Sequence, residues 1–313
     1  MSTTTPELPT EETHFVSLKH PWRIAGIVVV ILIALLIVIT VATNERFQWD
    51  IVVSYLFDPK IISGLGMTIF LTFVAMVIGL LLGVVIAVMR TSASRTLRYS
   101  SGFYVWFFRG TPVLVQLVFW YNLAYLFPNL TIGIPFLDPI LSVNTNDVIT
   151  PLLAAVLGLG LNEGAYLAEI IRAGILSVST GQREAATSIG MTRFQAFRRV
   201  ILPQAMRVII PPTGNETIGM LKSTSLVSVI ALSDLMYSAQ SIYSRTFEVI
   251  PLLLTASIWY LVLTSLLSVG QARIENHFGR GAIAEAGTAR AGMFHLLRRS
   301  ASTGSSASTG KKA

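Results

Sequence analysis

Residues 24–42 read IAGIVVVILIALLIVITVA, an apolar run without a charged side chain. A helix rises about 1.5 Å per residue and the hydrocarbon core of a bilayer is about 30 Å thick, so a run of this kind is long enough to cross it. Lipid offers no partner for backbone N–H and C=O groups, which leaves an α-helix as the conformation that satisfies them within one segment. The run follows a polar head and has no A-x-A-like exit, so it is expected to be an uncleaved anchor rather than a signal peptide.

Five more stretches have span length: 61–89, 105–127, 148–171, 205–232 and 250–269. The fifth of the six spans, 205–232, is interrupted by Pro211, Pro212, Gly214 and Lys222 and is expected to be broken there. Composition agrees with a polytopic membrane protein: 53% of the 313 residues are hydrophobic and 12% charged, and the mean hydropathy is +0.67. A net charge of +7 would suggest nucleic acid in a soluble protein. Here the basic residues sit between apolar runs, and no nucleic-acid motif accompanies them. The absence of cysteine excludes disulfides, thiolate metal sites and cysteine nucleophiles.

Lysine and arginine orient the spans. Lys19 and Arg23 precede the first, Arg90, Arg95 and Arg98 follow the second, and Arg172, Arg183, Arg193, Arg198 and Arg199 follow the fourth. The alternate loops carry few: Arg46, Lys60 and Arg245, with none over 129–150. By the positive-inside rule both termini are expected in the cytoplasm. The tail after Gln271 is rich in Gly, Ala and Ser and is assigned no structure.

The most basic loop, 179–203, has a pattern of its own. Ser179 or Thr180 can cap a helix beginning near Gln182, and Gly190 can end it in the left-handed conformation. Thr192 with Gln195 reads as a capping box opening a second helix. Phe194, Phe197 and Ile201 lie at helical spacing with Arg193, Arg198 and Arg199 around them, and Pro203 is expected to turn the chain back into the membrane. Two short helices with exposed aromatics suit a docking knob for another protein; an amphipathic helix on anionic membrane lipid is the alternative.

E-A-A, three residues, Gly, nine residues, an aliphatic, one residue, Leu-Pro is the loop signature of bacterial ABC importer permeases, and the chain resembles it at Glu184, Ala185, Ala186, Gly190, Val200, Leu202 and Pro203. FFRGTPVLVQ (107–116), GAYLAEIIRAGI (164–175), GQREAA (181–186) and LKSTSLVSVIALSDL (221–235) resemble the polar amino acid branch, which includes histidine, glutamine, glutamate and basic amino acid permeases. The resemblance runs over 60–272. It implies an all-α transmembrane bundle of the type I ABC importer permease fold, here with about six spans. The implied organisation is a head at 1–23, an extra anchor at 24–43, a permease core at 60–272 containing the coupling loop 179–203, and a disordered tail at 273–313.

The same resemblance implies partners: a separate ABC ATPase carrying ATP and Mg, an extracytoplasmic amino acid binding protein, and a second permease chain, identical or not. Glu184, Arg193 and Phe194 would contact the ATPase, Ala185 and Ala186 would permit close approach, and Gly190, Leu202 and Pro203 would set the loop's shape. Plain helix propensity also accounts for the two alanines. No G-x-x-x-x-G-K-[ST] loop occurs, so ATP phosphates have no cradle here and no cofactor is expected on this chain.

Polar groups inside spans mark a candidate substrate pathway. Glu163 stands about 15 residues into the fourth span, about 22 Å at the helical rise. An ionised group near a span's centre costs about 2.5 to 3.5 kcal/mol on insertion scales, so it is paired or used. It would favour a cationic amino acid if it faced the pathway; pairing with Lys222 or Arg109, or a protonated carboxyl bonded to backbone, are the alternatives. In the family small or hydroxylated residues are common at this position, so an acid departs from the glutamine type. Asn162 and Tyr166 recur at helical spacing beside it, and Glu169 can pair with Arg172. Asn215, Glu216, Thr224 and Ser225 make the fifth span a candidate pathway wall, or hydrogen-bond neighbouring helices. Arg109 opens the third span within RGTP, where Gly110 and Pro112 are expected to give a bent helix entry, and reads as an interfacial anchor.

A membrane enzyme would need a catalytic cluster, yet all four histidines lie outside the spans and no metal-ligand spacing is present, so neither a catalytic nor a metal residue is expected. An ion-coupled secondary amino acid carrier is the competing reading of the polar spans. The long basic loop favours the ABC permease.

Overall fold

A computed structural model describes residues 21–132 and 140–279. Most of the expected head, the stretch 133–139 and the tail from 280 onward lie outside the described residues. The chain divides into one unit ending at Trp49 and a second beginning at Asp50. In the first, α1 (Pro21–Thr43) is a helix over the stretch expected to be the anchor, followed by a 3-10 turn, Glu45–Phe47. The Trp49 indole N–H closes that turn on the Val41 carbonyl at 3.1 Å.

The second unit begins one residue into α2 (Trp49–Tyr55) and continues with the long α3 (Pro59–Arg90). Asp58 caps α3 by accepting from Lys60 N at 2.8 Å, and Pro59 occupies the first turn, where a missing N–H costs nothing.

The third span, expected over 105–127 with a bent entry at Gly110 and Pro112, is divided at that bend. It is α4 (Arg95–Gly110), α5 (Val113–Tyr121) and a short α6 (Leu123–Leu126), with α4 and α5 bent by 99°. The cause is Pro112, whose ring drives the preceding Thr111 out of the helical region to φ −114, ψ 141. A two-stranded antiparallel ribbon, β1 (Asn129–Ile132) and β2 (Leu141–Asn144), and a single turn, α7 (Thr145–Val148), then lead to the fourth span.

That span is α8 (Pro151–Ser177), started by Thr150, whose hydroxyl accepts from Leu153 N at 3.2 Å. It begins three residues later than the apolar run suggests, which puts Glu163 about 18 Å along the helix rather than 22. α3 lies along α8, and Leu71, Ala75, Leu117, Ala155, Leu159 and Met220 close the principal core around that contact.

After α8 come α9 (Thr180–Ser188) and α10 (Arg193–Ala196), then a π-helical turn, Phe197–Ile201, and α11 (Leu202–Ser223). Two expectations change here. Pro203 does not turn the chain, because it falls in the first turn of α11 and the wide π turn before it, closed by Leu202 N on Phe197 O, absorbs the lost hydrogen bond. Nor do Pro211 and Pro212 break the span: both lie inside α11. Their neighbourhood is re-tied by side chains, Thr213 Oγ1 donating to Ile209 O at 2.8 Å and Gln271 Nε2 to Pro211 O at 3.3 Å.

The break comes later. A 3-10 stretch, Thr224–Ile230, ends before Asp234, which caps α12 (Leu235–Thr246) by accepting from Tyr237 N at 2.8 Å, and the two parts meet at 44°. The last helix, α13 (Val249–Gly279), extends past Gln271, so the first residues of the expected structureless tail are helical. Among the described residues four helices are long and apolar enough to cross a membrane, or up to six spans with each bent pair counted as one, in line with the six expected.

Candidate functional site

The α4–α5 bend brings a polar backbone corner against α8. Carbonyls freed at the bend are satisfied by two buried or half-buried amides: Gln116 Nε2 donates to Phe108 O at 3.0 Å and to Thr111 Oγ1 at 2.7 Å, and Asn162 Nδ2 donates to Phe108 O at 2.7 Å. Tyr104 Oη donates to Leu161 O at 2.7 Å on the same side. These bonds hold the corner, residues 108–111, in place against the middle of α8.

Between this corner, α8 and α11 lies a cavity of about 530 Å³. Its α8 wall is Leu159, Asn162, Glu163 and Tyr166, one face at spacings of three and four; its α11 wall is Glu216, Gly219, Met220 and Ser223, spaced in the same way. The bend contributes Arg109 to Val113. A second cavity of about 320 Å³ continues along α8 past Glu169 and Ala173 and shares Arg109, Tyr166 and Glu216 with the first.

The charges are unevenly matched. Both ion pairs among the described residues belong to Glu169, to Arg90 at 3.1 Å and to Arg172 at 2.7 Å. Glu163 has neither of the expected partners Lys222 and Arg109 within ion-pair distance, and its Oε1 is buried without a hydrogen bond. The residue is 3% exposed, clamped from behind by Gly79 of α3, where a Cβ would come within 2.6 Å of the Glu163 Cγ. The Arg109 guanidinium lies over the Tyr166 ring, 4.9 Å from its centroid. Arg109, expected as an interfacial anchor, thus lines both cavities.

Of the sequence-derived pathway residues, Asn162, Glu163, Tyr166 and Glu216 converge on the cavity. The other three do not. Asn215 accepts from Gln271 Nε2 at 3.1 Å on another face of α11, buried Thr224 donates to Leu221 O, and Ser225 donates to Lys222 O. Gln116, Gly219 and Ser223 were missed, although counting three and seven residues on from Glu216 reaches the latter two and Gln116 is a lone amide in an apolar run.

The helix pair α9–α10 has the expected geometry at its joint. Gly190 adopts φ +80, with Gly190 N bonded to Thr187 O at 3.0 Å and Met191 N to Ala186 O at 3.1 Å, the two bonds of a Schellman ending. Thr192 and Gln195 form the capping box. Ser179 precedes α9 but its side chain makes no cap bond. Glu184, Ala185, Arg193 and Pro203 are exposed, Phe194 is 70% exposed, Leu202 is half-buried, and Ala186 is buried against the rest of the unit. Arg183 Nη2 donates to Ile175 O at 2.7 Å, tying α9 to the carbonyl end of α8.

A family model described as the binding-protein-dependent transport system inner membrane component matches residues 79–280. The chain belongs to that family. It is 45% identical over 265 residues, 84% of this chain and 82% of the other, to the arginine transport system permease protein ArgU of Corynebacterium glutamicum. Identity is 39% to the L-cystine transport system permease protein TcyB of Bacillus subtilis, over 76% of this chain and 94% of that one. A crystal structure of an amino acid ABC transporter with histidines matches with TM-score 0.60 and 41% identity, covering 71% of this chain and 95% of that one. The chain is therefore a multi-pass inner-membrane permease of the amino acid ABC transporter class, with the type I importer permease fold, and a transport subunit rather than an enzyme.

Proposed function

We propose that this chain is the membrane-spanning subunit of an ATP-driven importer for cationic amino acids. The observation that carries the reading is the wall of the larger cavity, where Glu163 and Glu216 stand against the single guanidinium of Arg109. A dibasic amino acid brings two cationic groups and one carboxylate, the complementary set. Neither carboxylate is spoken for by an ion pair among the described residues, so both are available to a ligand. The similarity to an arginine permease supports the same substrate class.

In this reading ATP and Mg reside on a separate ATPase that receives α9 and α10, with Glu184, Ala185, Arg193 and Phe194 at the contact. Gly190, Ala186, Leu202 and Pro203 fix the pair's shape. The Arg183 bond to α8 carries movement of α9 toward the cavity helix. A second permease chain completes the pathway, a binding protein delivers substrate from outside, and both termini face the cytoplasm.

The test is reconstitution of the full importer in liposomes with labelled arginine and unlabelled glutamine or arginine in competition. ATP-dependent uptake displaced by arginine and not by glutamine supports the proposal. Uptake displaced equally by both overturns the cationic preference, and uptake on an ion gradient without the ATPase returns the carrier alternative.

A further inference from the structure

The two cavities beside α8 share three lining residues, Arg109, Tyr166 and Glu216. The backbone on either side of Arg109 is held: Phe108 O receives two side-chain amides and Thr111 O and Oγ1 receive Gln116. The Arg109 side chain, by contrast, makes no ion pair among the described residues and lies over the Tyr166 ring. A long side chain on a fixed backbone, held by one face contact worth less than a bidentate guanidinium–carboxylate pair, is free to be drawn elsewhere.

We infer that Arg109 is a swinging partition between the two cavities, closed while its guanidinium stacks on Tyr166 and opened when the carboxylate of a bound amino acid takes the guanidinium away. This deepens the substrate reading above and rests on it. Opening is a side-chain rotation, because the amides of Gln116 and Asn162 keep the corner backbone still. It also makes the substrate's carboxylate the signal for passage, while its cationic groups engage Glu163 and Glu216.

The native chain contains no cysteine, so single thiols report on each cavity. Ser223→Cys marks the larger cavity and Ala173→Cys the smaller. In vesicles carrying the full importer, a membrane-impermeant thiol reagent is applied at the face from which Ala173→Cys reacts. Ser223→Cys is expected to be protected from that face, to react about tenfold faster with Arg109→Gln or Tyr166→Leu added, and to stay protected with Tyr166→Phe, which keeps the ring. Equal rates with and without Arg109, or protection that survives both removals, overturn the partition.

A binding cycle tests what moves it. Loss of the ligand carboxylate, arginine against its decarboxylated form agmatine, is expected to cost the solubilised importer about tenfold or more in affinity, and Arg109→Gln to abolish most of that difference. An undiminished difference in the Arg109→Gln importer overturns the carboxylate trigger. The labelling result does not depend on the substrate, so failure of the cationic reading in uptake is distinguishable from failure of the partition.

Discussion

Asn162 in the middle of α8 donates its side-chain amide to the backbone carbonyl of Phe108, 2.7 Å away and 54 residues earlier in the chain. The bond stitches the fourth span to the kinked third one at the point where Pro112 has freed backbone groups. A side-chain hydrogen bond of this kind contributes about 1 kcal/mol, in membrane as in water. Asn162→Ala is therefore expected to lower the melting temperature of the solubilised importer by a few degrees. Asn162→Asp, which sets a carboxylate against the carbonyl, is expected to lower it further. Equal melting of all three proteins would contradict the assignment.

Gly79 is where α3 gives way to Glu163. A methyl group there would sit 2.6 Å from the Glu163 Cγ and 2.9 Å from its Cβ. Overpacking of a tight contact costs about 1 to 3 kcal/mol. Gly79→Ala should weaken the fold and displace the Glu163 carboxylate, read as reduced thermal stability together with weaker arginine binding. The companion change Glu163→Ala in the Gly79→Ala background removes the Cγ contact and keeps the Cβ one at 2.9 Å, so it should restore part of the stability without restoring binding. If it restores neither, the contact is not the source of the cost.

Gly190 holds the joint between α9 and α10 at φ +80, a conformation that costs a residue with a Cβ about 1 to 2 kcal/mol. The space around it is open, so the penalty is conformational and not steric. Gly190→Asn, tolerant of the left-handed region, should keep substrate-stimulated ATP hydrolysis. Gly190→Val should keep the ATPase bound yet lose most of the stimulation. Wild-type stimulation in Gly190→Val would detach the joint from coupling.

Legibility from sequence followed the range of the interactions. The approximate number of spans, the Thr192–Gln195 capping box and the left-handed Gly190 depend on neighbours within a few residues, and these are read correctly from the chain. The π turn before Pro203 and the unbroken passage of α11 through Pro211 and Pro212 depend on what receives the freed backbone groups, including Gln271, which lies 60 residues away. At the cavity, Glu163 and Tyr166 declare themselves as polar residues in an apolar helix. Arg109 does not, because an arginine at the end of a span looks the same whether it reaches for lipid headgroups or folds over a tyrosine. Thr224 and Ser225 misled for the converse reason: their hydroxyls are consumed by their own helix.

Selection of cationic amino acids by Glu163 and Glu216 is the claim on which the functional account turns, and equilibrium binding to the solubilised importer tests it most directly. Labelled arginine and labelled glutamine are titrated into the wild-type protein, Glu163→Gln, Glu216→Gln and the double variant. The account predicts that each single change weakens arginine binding about tenfold or more, as loss of one buried charge partner does, while glutamine binding stays where it was. Arginine affinity unchanged in the double variant, or lost in step with glutamine, would contradict it.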